Sequence, residues 1–185
     1  MNQDLLQTII AWIRNRYFGK YRGTVTDNAD PTSRGRIKVR VPAVLGELEV
    51  WAMPCVPYAG DGVGFYSLPN AGTGIWVEFE AGDASYPIWS GCFWADRQLP
   101  DESDANIKIW KTDSVILRVD DGADELKAET SNGAKITITD EIKSEKGNAS
   151  HTISSSSVVS DSGGSGKVEV SSSSVSANNG AWEVM

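Results

Sequence analysis

Histidine, cysteine and long apolar runs are scarce in this chain. One histidine and two cysteines among 185 residues leave too few ligands for a metal site with the spacing of a known motif. No run of about 18 apolar residues is present, so we expect no membrane-spanning helix. The first residues, Met1 to Asp4, are not basic and do not resemble a signal peptide. We therefore expect the protein to be made in the cytoplasm and to leave it, if at all, by another route.

The two cysteines, Cys55 and Cys92, lie in apolar segments that read as strands. Free cysteine is among the residue types most often buried, so we expect two buried, reduced thiols. A disulfide between them is an alternative that nothing in the sequence demands.

Positive charge is also in short supply, with 17 Lys and Arg against 25 Asp and Glu and a formal net charge of −8. Residues 98–185 contain 8 basic and 15 acidic residues and carry −7 of that charge. Nucleic-acid binding depends on Lys and Arg at phosphates, so this balance argues against it. No combination of histidine, cysteine and carboxylate suggests catalysis, and we expect neither an enzyme nor a cofactor.

An amphipathic helix is predicted over residues 3–16, within an N-terminal segment of residues 1–16. Five apolar residues recur there at helical spacing and form a single stripe. They are Leu5, Leu6, Ile9, Ile10 and Ile13. The stripe can pack on its own domain or dock on a neighbouring subunit, and the spacing alone does not decide between them.

The next segment, residues 17–97, has the pattern of a small β-barrel. Five strand-like stretches, at residues 21–26, 35–41, 48–58, 74–80 and 86–94, are joined by turns rich in glycine, proline and asparagine. Five short strands in about 80 residues are typical of a closed barrel such as an OB-fold. Residues 98–106 are predicted to be a linker.

Residues 107–185 alternate apolar and polar side chains, as strands with one inward face do, but have little to bury. Residues 150–176 contain 13 serines and no aromatic residue. Such a segment cannot form a core by itself, so we expect several copies to share one. The predicted shared core consists of Val115, Leu117, Val119, Ile136, Ile138, Ile153, Val168 and Val170.

Five motifs, in order, resemble the OB-fold domain of baseplate spike proteins from contractile phage tails, a module also found in VgrG-type spikes and in type VI-like and extracellular injection systems. They are YRGTV at 21–25, RGRIKVRVP at 34–42, MPCVPYAG at 53–60, SLPNAGTGIWVEFEAGD at 67–83 and YPIWSG at 86–91. Segments 109–112 and 119–122 resemble the start of the needle that follows this domain in the family.

The resemblance implies an all-β protein whose barrel is followed by a triangular β-helix needle, intertwined in a homotrimer. In that family the three chains wind in parallel and each strand edge pairs with the next chain. The implied role is the central spike of an injection machine, docked on a hub protein and inner tube and driven transiently through a membrane when the sheath contracts. It also implies a phage-tail-like particle and effector cargo.

The sequence departs from the family pattern at the needle's end. No His-X-His repeat, which holds an iron ion at the tip of some relatives, is present, so the resemblance implies a separate tip protein of the PAAR-repeat type. The single histidine, His151, is two residues before Ile153, so the two side chains would lie on the same face of a strand. If that face points to the threefold axis, His151 is a candidate for an ion or water site there. A histidine that is simply exposed or stacked is the alternative.

Two other functions fit parts of the sequence. The barrel could be an OB-fold module for single-stranded nucleic acid, because it has aromatic residues on which bases could stack. These are Trp51, Tyr58, Phe65, Tyr66 and Trp76. The tail could instead be a polysaccharide-degrading or adhesive β-solenoid, although neither an acidic cleft nor a long repeat array is visible.

Overall fold

The computed structural model describes residues 3–101 and 104–185. The chain is mostly β-structure and divides into two compact units, Met1–Gln98 and Leu99–Met185. The first unit holds an N-terminal helix and a barrel, and the second is a single long sheet.

Helix α1 runs from Gln3 to Arg14, two residues shorter than predicted; Met1 and Asn2, also assigned to this segment, lie outside the described residues. Asp4 in its first turn and Arg14 in its last turn complement the helix dipole. All its residues are exposed, so packing within the chain does not account for its apolar stripe.

The barrel contains five longer strands and one small hairpin. Strands β1 to β7 are Tyr21–Asp27, Ile37–Arg40, Glu49–Pro54, Ala59–Gly60, Val63–Gly64, Gly74–Phe79 and Pro87–Cys92. The closed order is β1-β2-β3-β7-β6, and every pair is antiparallel except β3 with β7. A short helix α2, Pro42–Leu45, and a 3₁₀ turn, Glu80–Gly82, fill the connections.

Nine side chains form the barrel core. They are Val25, Ile37, Val39, Val41, Ala52, Ile75, Val77, Phe79 and Trp89. Within β2 and β6 the buried residues are every second one, because alternate side chains of a strand point to the same face. The predicted five-stranded barrel is therefore confirmed.

The expectation of buried thiols is wrong, since Cys55 and Cys92 are both free and exposed. Cys55 follows the end of β3, and Cys92 is the last residue of β7, so both lie where the strands leave the barrel. Partial desolvation still raises the pKa of the Cys92 thiol.

The second unit is one antiparallel sheet of ten strands, in which each strand pairs with its neighbours in sequence. Strands β8 to β17 are Ile107–Lys111, Val115–Asp120, Glu125–Thr130, Ala134–Ile138, Ile142–Lys146, Ala149–Ile153, Ser157–Asp161, Lys167–Ser171, Val175–Ala177 and Trp182–Val184. The nine strand pairs of this sheet, all within the chain, are antiparallel. The edges of β9 to β16 are also paired within the chain, not with a neighbouring one, because short turns return each strand beside the previous one.

Two kinds of turn join the strands of this sheet. At one end, four of the five turns contain a glycine with positive φ, namely Gly133, Gly147, Gly163 and Gly180, and in the fifth the Thr112 hydroxyl accepts the backbone N–H groups of Ser114 and Val115. Gly163 is also confined sterically, since a Cβ there would lie 2.4 Å from that of Asn148. At the other end, side-chain oxygens of Ser154 and Ser171 accept backbone N–H groups two and three residues ahead. Many of the serines are therefore turn residues.

Candidate functional site

One face of the ten-stranded sheet carries a continuous row of branched apolar side chains, here called the ladder. Cross-strand pairing places one member on each strand from β9 to β17. The ladder consists of Val119, Leu126, Ile138, Ile142, Ile153, Val158, Val170, Val175 and Val184. Seven of the nine are 36–51% exposed, which is unusual for an unbroken aliphatic row.

A second row on the same face, here called the central column, lies two residues along each strand. It begins and ends with tryptophan and is polar in the middle. Its members are Trp110, Leu117, Ala128, Ile136, Ser144, His151, Ser160, Val168, Ala177 and Trp182.

On the far side of the central column, small side chains leave a groove of about 480 Å³. Ala128, Thr130, Ala134 and Ala149 are among the residues that line it. The face therefore has a ridge, the ladder, at one margin and a groove near the other.

All eight residues predicted to form a shared core lie on this one face. The ladder contains Val119, Ile138, Ile153 and Val170; Leu117, Ile136 and Val168 belong to the central column; and Val115 lines the groove. His151 is on the same face, in register with Ser144 and Ser160. Sequence reasoning missed Leu126, Ile142, Val158, Val175 and Val184, whose strands alternate too briefly to stand out.

The opposite face is charged and paired. Lys127 bonds to Glu129 at 2.6 Å, Lys135 to Glu145 at 2.6 Å, and Lys167 to Glu169 at 3.0 Å. The pKa of Glu145 is lowered by its bonds to Lys135 and Lys143. Such a face is compatible with water, so the sheet has one wet and one apolar side.

The five stripe residues of α1 also lie together on an exposed face, which Trp12 extends. The six side chains are 39–54% exposed. Trp12 packs against Phe18 with ring centroids 6.2 Å apart, and the Arg16 guanidinium lies 5.7 Å from its ring. The stripe is thus a second unpartnered apolar surface.

Two of the five barrel aromatics are already stacked by arginine. The Arg36 guanidinium lies 5.3 Å from the Trp51 ring, and that of Arg22 lies 5.0 Å from the Trp76 ring. An arginine stacked on a ring covers one of its faces, so Trp51 and Trp76 offer less surface for base stacking. Tyr58, Phe65 and Tyr66 are exposed beside the β4–β5 hairpin.

Metal-ligating residues do not cluster within one chain. Among residues 3–101 and 104–185, no three His, Cys, Asp or Glu side chains are placed to hold an ion. In the same described residues, no helix is long and apolar enough to span a membrane.

A closed five-stranded barrel of this topology belongs to the OB-fold class. Residues 21–94 match the family model of the type VI secretion system/phage-baseplate injector OB domain, so the barrel is similar to that domain. The family is structural and is not a known enzyme family, which supports a role in a baseplate spike within a tail-like particle. No curated protein matches the chain.

Proposed function

We propose that the chain is the homotrimeric central spike of a contractile injection system, with the ten-stranded sheet forming its needle. The observation that carries this proposal is the exposed ladder on a sheet with no other apolar layer beside it in the described residues. Three copies facing inward would remove that surface from water, at about 25 cal/mol for each Å² buried.

The shape of the apolar face favours a ring over a face-to-face pair. Around a threefold axis, the ladder of one sheet would meet the groove of the next, and the central column would lie nearest the axis. A contact between two different patches is heterologous and closes only as a ring. The three ion-paired faces would then point to water.

The remaining assignments follow the family's role. The stripe of α1, with Leu5, Leu6, Ile9, Ile10 and Ile13, would dock on the hub protein and inner tube. The needle would carry a PAAR-type tip protein and possible effector cargo, and would pierce the target envelope when the sheath contracts. In this proposal the chain has four parts: a docking segment, a barrel, a linker and a needle, at residues 1–16, 17–97, 98–106 and 107–185. Residues 102 and 103 of the linker lie outside the described part.

Two neighbouring substitutions test the trimer. Ile138→Asp places a charge on the ladder, and Thr137→Asp places the same charge on the wet face, between Lys127 and Lys143. Light scattering should give about 60 kDa, three times the 20.0 kDa of one chain, for the wild type and Thr137→Asp. Ile138→Asp should dissociate, because a buried unpaired carboxylate is costly.

A wild-type chain that is monomeric at all concentrations would overturn the spike proposal. Equal effects of the two aspartates would show that the ladder is not an interface.

A further inference from the structure

The β4–β5 hairpin of the barrel unit borders a pocket of about 440 Å³, a volume typical of small-molecule sites. Two segments supply most of its lining, the loop between β1 and β2, at Ser33, Arg34 and Gly35, and the hairpin segment 58–66. OB-folds bind oligosaccharides and oligonucleotides at the face of their second and third strands and at this first loop. The least exposed side chains of the pocket are Pro54, Val56, Leu68 and Trp89.

Three aromatic side chains of the pocket are open to solvent. Tyr58, Phe65 and Tyr66 are 59%, 58% and 77% exposed. The Phe65 N–H donates to the Tyr58 carbonyl at 2.9 Å, so these two residues are opposite each other across the hairpin and share a face. In the described residues, no other ring and no arginine stacks on the three, in contrast to Trp51 and Trp76. Their ring faces are therefore available to a ligand.

Hydrogen bonds fix the first loop in place beside the hairpin. The buried carboxylate of Asp30 accepts the backbone N–H of Arg34 at 2.8 Å, and Trp89 Nε1 donates to the Gly35 carbonyl at 3.4 Å. A Cβ on Gly35 would lie 3.9 Å from the Tyr66 ring, so loop and hairpin approach each other closely. A pocket wall that is ordered in advance reduces the entropy lost on binding.

The polar groups of the pocket are hydroxyls and a single cation. Arg34 is the only charged residue among the described residues that line it, whereas an oligonucleotide needs Lys or Arg at its phosphates. The hydroxyls belong to Ser33, Tyr58, Tyr66 and Ser67. A sugar ring matches this combination, because its C–H groups lie well against the electron-rich face of an aromatic ring and its hydroxyls bond to serine, tyrosine and arginine.

We propose that this pocket binds one N-acetylated sugar of a glycan chain. The sugar ring stacks on the exposed aromatic rings, its hydroxyls bond to Ser33 and Arg34, and its acetyl methyl group packs against Val56 and Leu68. The acetyl group is favoured over a plain hydroxyl because the inner lining is apolar, and a hydroxyl enclosed there would lack a partner. Every residue in this site belongs to one barrel, so the site does not depend on the proposed trimer.

The test titrates the full chain with chitotriose, the trisaccharide of N-acetylglucosamine, by isothermal calorimetry. We expect saturable binding with a dissociation constant in the millimolar range or tighter. Tyr58→Ala should weaken binding about tenfold or more, the scale of losing one aromatic stacking partner. Tyr86→Ala removes a tyrosine outside the pocket that is 61% exposed; it is the matched control and should leave the affinity unchanged.

Two further measurements sharpen the test. Tyr66→Ala removes a ring that is 77% exposed and should weaken binding without lowering the melting midpoint, so it serves where Tyr58→Ala perturbs the hairpin. Cellotriose, which has hydroxyls in place of the acetamido groups, should bind about tenfold more weakly than chitotriose.

The outcomes separate this site from the assembly. No binding of chitotriose by the wild-type chain, equal affinity for the two trisaccharides, or equal losses in Tyr58→Ala and Tyr86→Ala would overturn the site. Binding of oligothymidine that Tyr58→Ala abolishes would assign the pocket to nucleic acid instead. Each of these results leaves the spike proposal intact, because that proposal is tested by the mass of the assembly.

Discussion

At the scale of single residues, Asp30 organises the loop between β1 and β2. Its carboxylate accepts bonds from the Arg36 guanidinium at 2.8 and 3.1 Å and from the backbone N–H groups of Thr32 and Arg34. The side chain is 4% exposed. The Arg36 contact, followed by these backbone donors, holds the pKa of Asp30 far below its usual range.

Asp30→Asn should therefore destabilise the barrel at neutral pH, lowering its melting midpoint by several degrees. A lowered native pKa gives stability that is present above the unfolded pKa, about 3.9, and is lost as the pH falls towards the native value. The difference between wild type and Asp30→Asn, measured by denaturant titration, should shrink between pH 7 and pH 3. Asp27→Asn keeps an oxygen that can accept the N–H of Ala29 and should have a smaller effect. A pH-independent difference between wild type and Asp30→Asn would contradict this account.

Single residues also show where sequence reasoning fails. Cys55 and Cys92 are apolar in type and lie in apolar runs, yet both are exposed. Residue type predicts burial only on average. Whether a strand's last residue reaches the core depends on where the barrel closes, which no local pattern encodes.

At the scale of elements, α1 is a helix whose apolar side has nothing to cover it among the described residues. Its 12 residues are marginal for an isolated helix, so docking would stabilise it as well as hide the stripe.

Ile9→Asp should lower recovery of the chain in sedimented tail-like particles by about tenfold or more, because a carboxylate would be buried at the docking surface. Gln7→Asp, on the polar side of the same helix, should leave recovery unchanged. The measurement is made with each variant replacing the wild type in its host, and equal recovery of both would exclude the stripe as the docking surface.

The elements of the two units were not equally predictable. The five long barrel strands were located within a few residues because each is an apolar stretch bounded by turns rich in glycine, proline, asparagine or aspartate. In the sheet, β12 and β14 have Ser144 and Ser160 on the apolar face, so the alternation of apolar and polar residues is interrupted there. The glycine-rich segment 60–64 becomes a hairpin, β4–β5, which five residues could not indicate.

At the scale of the whole molecule, the two units hold their cores differently. The barrel has a complete core within Met1–Gln98, whereas the unit Leu99–Met185 contributes no buried residue to a core among the residues whose burial the structure describes. Which residues share the apolar face could be predicted, because every second residue of a strand lies on the same face. The ladder and the groove could not be predicted, because they depend on which strands pair and in what register.

Separated fragments should reflect that difference. Fragment 1–98 should unfold at a midpoint independent of its concentration, as a monomeric domain does. Fragment 99–185 should have a midpoint that rises with concentration, because its folding depends on association. Calorimetry at two concentrations tests both, and a concentration-independent fragment 99–185 would mean that the sheet is stable alone.

Because β8 to β17 pair in sequence order, the number of strands sets the length of this sheet across its strands. Neighbouring strands are about 4.8 Å apart, so nine steps span about 43 Å, and one added or deleted hairpin changes the span by about 9.6 Å. Because each hairpin keeps the alternation of the sheet, whole hairpins can be gained or lost without changing which residues lie on the apolar face. Evolution, or an engineer, can thus set the length of such a sheet in discrete increments.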